Sequence, residues 1–139
     1  MKPYQQYKTQ QQTNWTRIQM LLTLYRETES SIRAGIDSLS LNNQSEFTLT
    51  QIRTLKLLLA LLDGVKADSD ELSGNVHQLL LFVFQQVTRE EIEGLENGLR
   101  VLVTLKESFE AIEDEANQLE AEGVIPQLRY DLDGTLAVG

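Results

Sequence analysis

A chain of 139 residues with 41% hydrophobic content, 2 Pro and 8 Gly is one domain's worth of helix-favouring sequence. Its lack of cysteine excludes a disulfide framework, a thiolate metal site and a cysteine nucleophile. Net charge is −9, with 7 Lys/Arg against 4 Asp/Glu in residues 1–60 and 5 against 17 in residues 61–139; no stretch is basic enough to follow a phosphate backbone, so nucleic acid is not an expected partner.

Residues 1–15 are polar and Gln-rich, and the aromatics Tyr4, Tyr7 and Trp15 stand out from them. Such a segment buries too little surface to order itself, and it reads as a flexible N-terminal arm. A first helix is expected from Thr16, because Thr16 and Gln19 have capping-box spacing. Ile18, Leu21, Tyr25, Thr28, Ile32, Ile36 and Leu39 then recur at helical spacing. Met20, Leu22 and Leu24 add apolar surface off that stripe. A helix apolar on every side is buried on several sides or keeps one face for a partner.

Residues 40–47 read as a loop, and Thr48 with Gln51 repeats the capping-box spacing. The second helix carries Leu49, Ile52, Leu55, Leu59 and Leu62 as its stripe, with Leu57 and Leu61 off it, and Gly64 stands where a left-handed cap is expected. Asp68, Ser69 and Asp70 are candidate caps for a third helix ending near Val87, its stripe being Leu72, Val76, Leu79, Val83 and Val87. Thr88 and Glu91 predict a tight reversal into a fourth helix carrying Ile92, Leu95, Leu99, Leu102, Phe109, Ile112, Ala116 and Leu119, ended by Gly123. Gly94 and Gly98 share a face, which implies close approach of a neighbouring helix. Four helices with short connections predict an all-α, antiparallel up-down four-helix bundle over residues 16–123, with a C-terminal tail over 124–139. The expected core is Ile18, Leu21, Tyr25, Ile32, Ile52, Leu55, Leu59, Val76, Leu79, Val83, Leu95, Leu99, Leu102 and Phe109.

Candidate chemistry is sparse. Asp131-Leu132-Asp133-Gly134-Thr135-Leu136 resembles the Asp-x-Asp-Gly-Thr-Leu string of haloacid-dehalogenase-type phosphatases, in which the first Asp attacks phosphorus. Only four residues follow Thr135 here. The α/β domain that gives that string its context is not expected here, and a turn around Asp133-Gly134 is expected instead. His77 is the single histidine, so no second imidazole is available to a metal. No enzyme activity, no metal and no cofactor are expected. The longest apolar runs, Leu57 to Leu62 and Leu79 to Phe84, are too short to span a bilayer, and the N-terminus has no apolar leader core. A cytoplasmic protein with no membrane partner is expected. What remains is surplus apolar surface, which can serve a generously packed core, a homodimer face or a groove for a partner segment.

Several short motifs carry a family resemblance. Tyr4-Gln5-Gln6-Tyr7 is similar to the Tyr-x-x-Tyr arm that opens flagellin export chaperones, the FliS family. Thr16 to Tyr25, ending Leu22-Thr23-Leu24-Tyr25, resembles that family's first helix; Asn75-Val76 resembles its Asn-Leu, and Leu105-Lys106-Glu107-Ser108-Phe109 its Leu-x-x-Thr-Trp. The chain departs from the pattern at Arg17, at Arg26-Glu27, at Leu79-Leu80 and at Phe109. The resemblance implies a cytoplasmic chaperone that holds the disordered C-terminal segment of flagellin in apolar grooves between helices and prevents premature polymerisation. It implies partner-binding roles for Tyr4, Tyr7, Ile18, Met20, Leu22, Leu24, Tyr25, Val76 and Leu80, with the N-terminal arm covering the groove when no partner is bound. The competing expectation is a helical scaffold that self-associates, as a homodimer, through the same surface.

Overall fold

The computed structural model describes residues 15–65, 70–125, 128–130 and 136–138. Among these lie five α-helices: α1 (Arg17–Ser40), α2 (Gln44–Asp63), α3 (Glu71–Val87), α4 (Ile92–Ala111) and α5 (Glu113–Ala121). Two short strands follow, β1 (Leu128–Tyr130) and β2 (Leu136–Val138). The chain is therefore predominantly helical, as its periodicity predicts. The strands are a departure from the all-α expectation. They pair antiparallel with Leu128 opposite Val138 and Tyr130 opposite Leu136. Three residues per strand is too few for an alternating pattern to show in sequence. The expected turn at Asp133-Gly134 falls outside the described residues, as do Tyr4 and Tyr7 and the candidate caps Asp68 and Ser69.

The chain divides into two compact units, Thr23–Ser108 in one and Met1–Leu22 with Phe109–Gly139 in the other. In the second of these, the start of α1 carries the predicted capping box. The Thr16 N–H donates to Gln19 Oε1 at 3.0 Å, and the Gln19 N–H donates to Thr16 Oγ1 at 3.3 Å. Two side chains of α5 complete the cap. The Thr16 hydroxyl donates to Asn117 Oδ1, and buried Glu120 accepts the Arg17 N–H at 3.1 Å. A carboxylate suits this place because the first turn of a helix has unpaired N–H groups and a positive partial charge.

The fourth predicted helix is broken. Ile112, at φ −109° and ψ 10°, separates α4 from α5. The break puts Glu113, Asp114 and Glu115 in the first turn of α5, where carboxylates are favoured by the helix dipole. In one continuous helix the same three charges would sit toward the unfavourable end. Gly123 ends α5 at φ 79°, with its N–H on Glu120 O and the Val124 N–H on Leu119 O, the paired bonds of a Schellman cap.

In the unit Thr23–Ser108, α1 presents Tyr25, Thr28, Ser31, Ile32, Gly35 and Ser38 as its buried face. The predicted stripe coincides with it at Tyr25, Thr28 and Ile32, while Ile36 and Leu39 are half-buried. The buried hydroxyls are all bonded: Thr28 donates to Leu24 O and Ser38 to Ala34 O, while Ser31 and Thr54 share a 2.6 Å bond. Ser31 also lies 3.3 Å from Thr50 O, and a Cβ on Gly35 would meet Thr50 Oγ1 at 3.4 Å. Small residues thus let the α1 and α2 backbones approach closely without leaving a polar group unpaired.

The start and the inward face of α2 both differ from expectation. The connection shrinks to residues 41–43, with Asn42 at φ 54° and the Asn43 side chain accepting the Glu46 N–H at 3.2 Å. Thr48 and Gln51 form no capping box. Thr48 lies inside the helix with its hydroxyl on Gln44 O, and Gln51 reaches across to Val87 O at 3.1 Å. Asn43 won the competition because its side chain caps from a residue that already has non-helical dihedrals. Phe47, expected in the loop, is buried with Thr54, Leu58 and Leu61. Leu49, Ile52 and Leu59 point to solvent instead. Gly64 is in the right-handed region, φ −78°, because its N–H and that of Val65 reach back to carbonyls of the last turn and no left-handed residue is required.

On α3, Asp70 caps as predicted by accepting the Ser73 N–H at 2.7 Å. Leu80, Val83 and Val87 are buried, whereas Leu79 of the expected core and Leu72 of the expected stripe are exposed. Thr88 and Glu91 make no box either. The Thr88 hydroxyl donates to Gln85 O, closing α3, and Glu90 at φ 55° makes the tight reversal. On α4, Leu95, Leu102 and Leu105 are buried. Leu21, Leu55, Val76, Leu99 and Phe109, all expected in the core, are half-buried.

Candidate binding surface

The contact between α3 and α4 starts from the two glycines. A Cβ on Gly94 would lie 2.7 Å from Gln86 O, and one on Gly98 would lie 3.5 Å from both Val83 Cγ1 and Val83 O. This is the close approach that the Gly94/Gly98 spacing implies. Further along α4 the same face carries larger side chains, and there an open groove of about 220 Å³ forms, lined by Leu79, Arg100, Val101, Thr104 and Leu105. The Thr104 hydroxyl is engaged with Arg100 O at 2.9 Å, and the Arg100 guanidinium donates to Asn97. The groove wall is consequently apolar, with a single cation on its rim. Such a lining suits an apolar side chain of a partner segment better than a polar substrate.

The residues singled out from sequence fall mostly elsewhere. Leu22 and Leu80 are fully buried, and Tyr25 and Ile18 nearly so. Burial raises the proton affinity of the Tyr25 phenol well above its ordinary value. Met20, Leu24 and Val76 are half-buried, and Tyr4 and Tyr7 lie outside the described residues. Ile18, Leu22, Tyr25 and Leu80 thus present almost no surface to a partner in this structure. Leu79 and Leu80 exchange roles, since neighbouring residues on a helix point about 100° apart. The groove residues Val101 and Leu105 had a usable signal. They stand three and seven residues after Gly98, on the face that the glycines mark.

Exposed apolar side chains extend beyond the groove. Helix α3 shows Leu72, Leu79, Leu81 and Phe82 to solvent, and α2, which packs against it, shows Leu49, Ile52 and Leu59. Charge nearby is largely paired: Glu29 holds Lys106 Nζ at 2.7 Å and Arg33 at 3.1 Å, and Glu27 holds Arg53 at 2.6 Å. The Lys106 ammonium, aided by Arg33, keeps the Glu29 carboxyl below its ordinary range. Among the described residues no three His, Cys, Asp or Glu side chains are grouped to hold a metal ion, and no helix is long and apolar enough to cross a membrane. His77 is half-buried on α3. No protein-family model and no curated protein sequence matches the chain.

Proposed function

We propose that this protein is a non-catalytic, cytoplasmic chaperone that holds an apolar polypeptide segment, acting in export of the flagellin type as its motif resemblance implies. The observation that carries the reading is the apolar α3–α4 groove, with exposed Leu79 on its wall and the Thr104 hydroxyl engaged by Arg100 O. In this reading the four helices α1 to α4 form an antiparallel up-down bundle. Contacts between ascending and descending positions support it: Ser31 with Thr54 and Gly35 with Phe47, then Gly94 and Gly98 with Gln86 and Val83. The partner segment is the disordered C-terminal part of flagellin, whose apolar stripe would enter the groove and be kept from polymerising.

A titration of the protein with a flagellin C-terminal peptide tests it. Leu79→Glu and Val101→Glu each place a charge in the groove and are expected to weaken binding at least about tenfold, ~1.4 kcal/mol, without changing the helical content. Undiminished binding by both variants overturns the groove assignment. A second reading, self-association of a helical scaffold, is favoured by the breadth of the exposed apolar surface on α2 and α3. Sedimentation velocity distinguishes the two, because only the scaffold reading gives a dimer that the same substitutions dissolve.

A further inference from the structure

The outer face of α2 has a pattern that neither the core nor the α3–α4 groove uses. Ser45, Leu49, Ile52, Lys56, Leu59 and Asp63 are spaced four, three, four, three and four residues apart, and all six are exposed. Leu49, Ile52 and Leu59 are 63%, 47% and 49% exposed, values that a packed core stripe does not show. Alternating steps of three and four are the seam of a coiled coil, in which side chains of one helix enter holes on another. A seam from Leu49 to Asp63 rises over roughly 21 Å, about four turns of a partner helix.

We propose that this seam is a second docking surface, and that its occupant is an amphipathic helix of another protein carrying a carboxylate among its apolar contacts. The inference does not depend on the chaperone reading or on the groove. Charge identifies the occupant. Lys56 stands at the middle of the seam between Ile52 and Leu59, while neighbouring Arg53 is already held by Glu27 at 2.6 Å. A second copy of this chain suits the seam poorly in either direction. Parallel pairing in register sets Lys56 against Lys56 and Asp63 against Asp63. Antiparallel pairing that matches Leu49 with Leu59 buries Lys56 against Ile52, with no carboxylate opposite it. Each arrangement buries a like-charge or unpaired cation, which costs more than the leucine contacts return. A partner with Glu or Asp opposite Lys56 pairs that ammonium and still fills the holes beside Leu49, Ile52 and Leu59. Lys56 then selects the partner and its register, as polar seam positions do in coiled coils.

Two designed peptides of about three heptads test this, identical in their leucine seam and differing only in a central Glu or Lys. Their affinity for the full chain is read by fluorescence anisotropy. The Glu peptide is expected to bind about tenfold more tightly than the Lys peptide, the factor that ~1.4 kcal/mol of charge coupling gives. Lys56→Glu, an exposed change that leaves the core untouched, should reverse the preference. Ile52→Glu should abolish binding of both peptides while the circular dichroism spectrum and the urea unfolding midpoint stay close to those of the parent. Equal affinity for the two peptides, or a preference that Lys56→Glu does not reverse, overturns the proposal. A dimer of the parent chain that Ile52→Glu dissolves also overturns it, since the seam would then belong to a second copy.

Discussion

Gly94 and Gly98 lie on the same face of α4, yet replacing each by Ala should move stability in opposite directions. At Gly98 the new methyl would meet Val83 Cγ1 and Val83 O at 3.5 Å, which is ordinary van der Waals contact. The substitution adds helix propensity of roughly 0.8–1 kcal/mol and asks nothing of the neighbours. At Gly94 the methyl would lie 2.7 Å from the backbone oxygen of Gln86. That carbonyl belongs to the last turn of α3, where it accepts the Arg89 N–H at 3.3 Å, so it cannot rotate away as a side chain would. Relief requires the helices to separate by a good part of an ångström, an overpacking strain of about 1–3 kcal/mol that exceeds the propensity gain. Equilibrium urea unfolding monitored by far-UV circular dichroism should therefore raise the midpoint for Gly98→Ala and lower it for Gly94→Ala. Because the propensity gain is common to both, the two variants should differ by the strain itself, about 1–3 kcal/mol. Equal stabilisation by both would show that α3 and α4 are not held at this distance, and would remove the basis on which the groove beyond Gly98 is built.

The rotated face of α2 predicts that Phe47→Ala and Leu58→Ala each cost about 2–5 kcal/mol, while Leu59→Ala stays within about 1 kcal/mol; similar losses at Leu58 and Leu59 would contradict the burial described. Acid stability should depend on Glu29. Its carboxyl titrates lower in the folded chain than in the unfolded one, so its stabilisation is complete above the unfolded value of about 4.3 and is lost as pH falls through the folded value. Glu29→Gln should be less stable than the parent at neutral pH and equal to it in strong acid, and a constant difference in urea midpoint across that range would refute the assignment.

Helix count up to Val87, the cap at Thr16, the cap at Asp70 and the Schellman ending at Gly123 are local events. Each depends on residues within a few positions of one another, so spacing alone locates it. The inward face of α1 was readable at Ile18, Tyr25, Thr28 and Ile32, but not at Leu22, which lies off the expected stripe and is fully buried while Leu21 is half-buried. On α2 the reading failed for a physical reason. Leucines or isoleucine stand at Leu49, Ile52, Leu55, Leu57, Leu58, Leu59, Leu61 and Leu62, so apolarity points in several directions and the period does not choose among them. The choice was made across the interface, where Ser31 and Gly35 on α1 accept Thr54 and Thr50 closely and so turn Leu58 inward and Leu59 outward. The same ambiguity exchanged Leu79 and Leu80 on α3. The break at Ile112 likewise answers to the charge of the three carboxylates after it, which outweighs an apolar period that runs on to Leu119. Sequence therefore determined which segments are helical and where most of them stop. Tertiary packing decided which of several greasy faces is core and which is left as surface, because burial depends on the neighbour's shape and not on the helix's own composition.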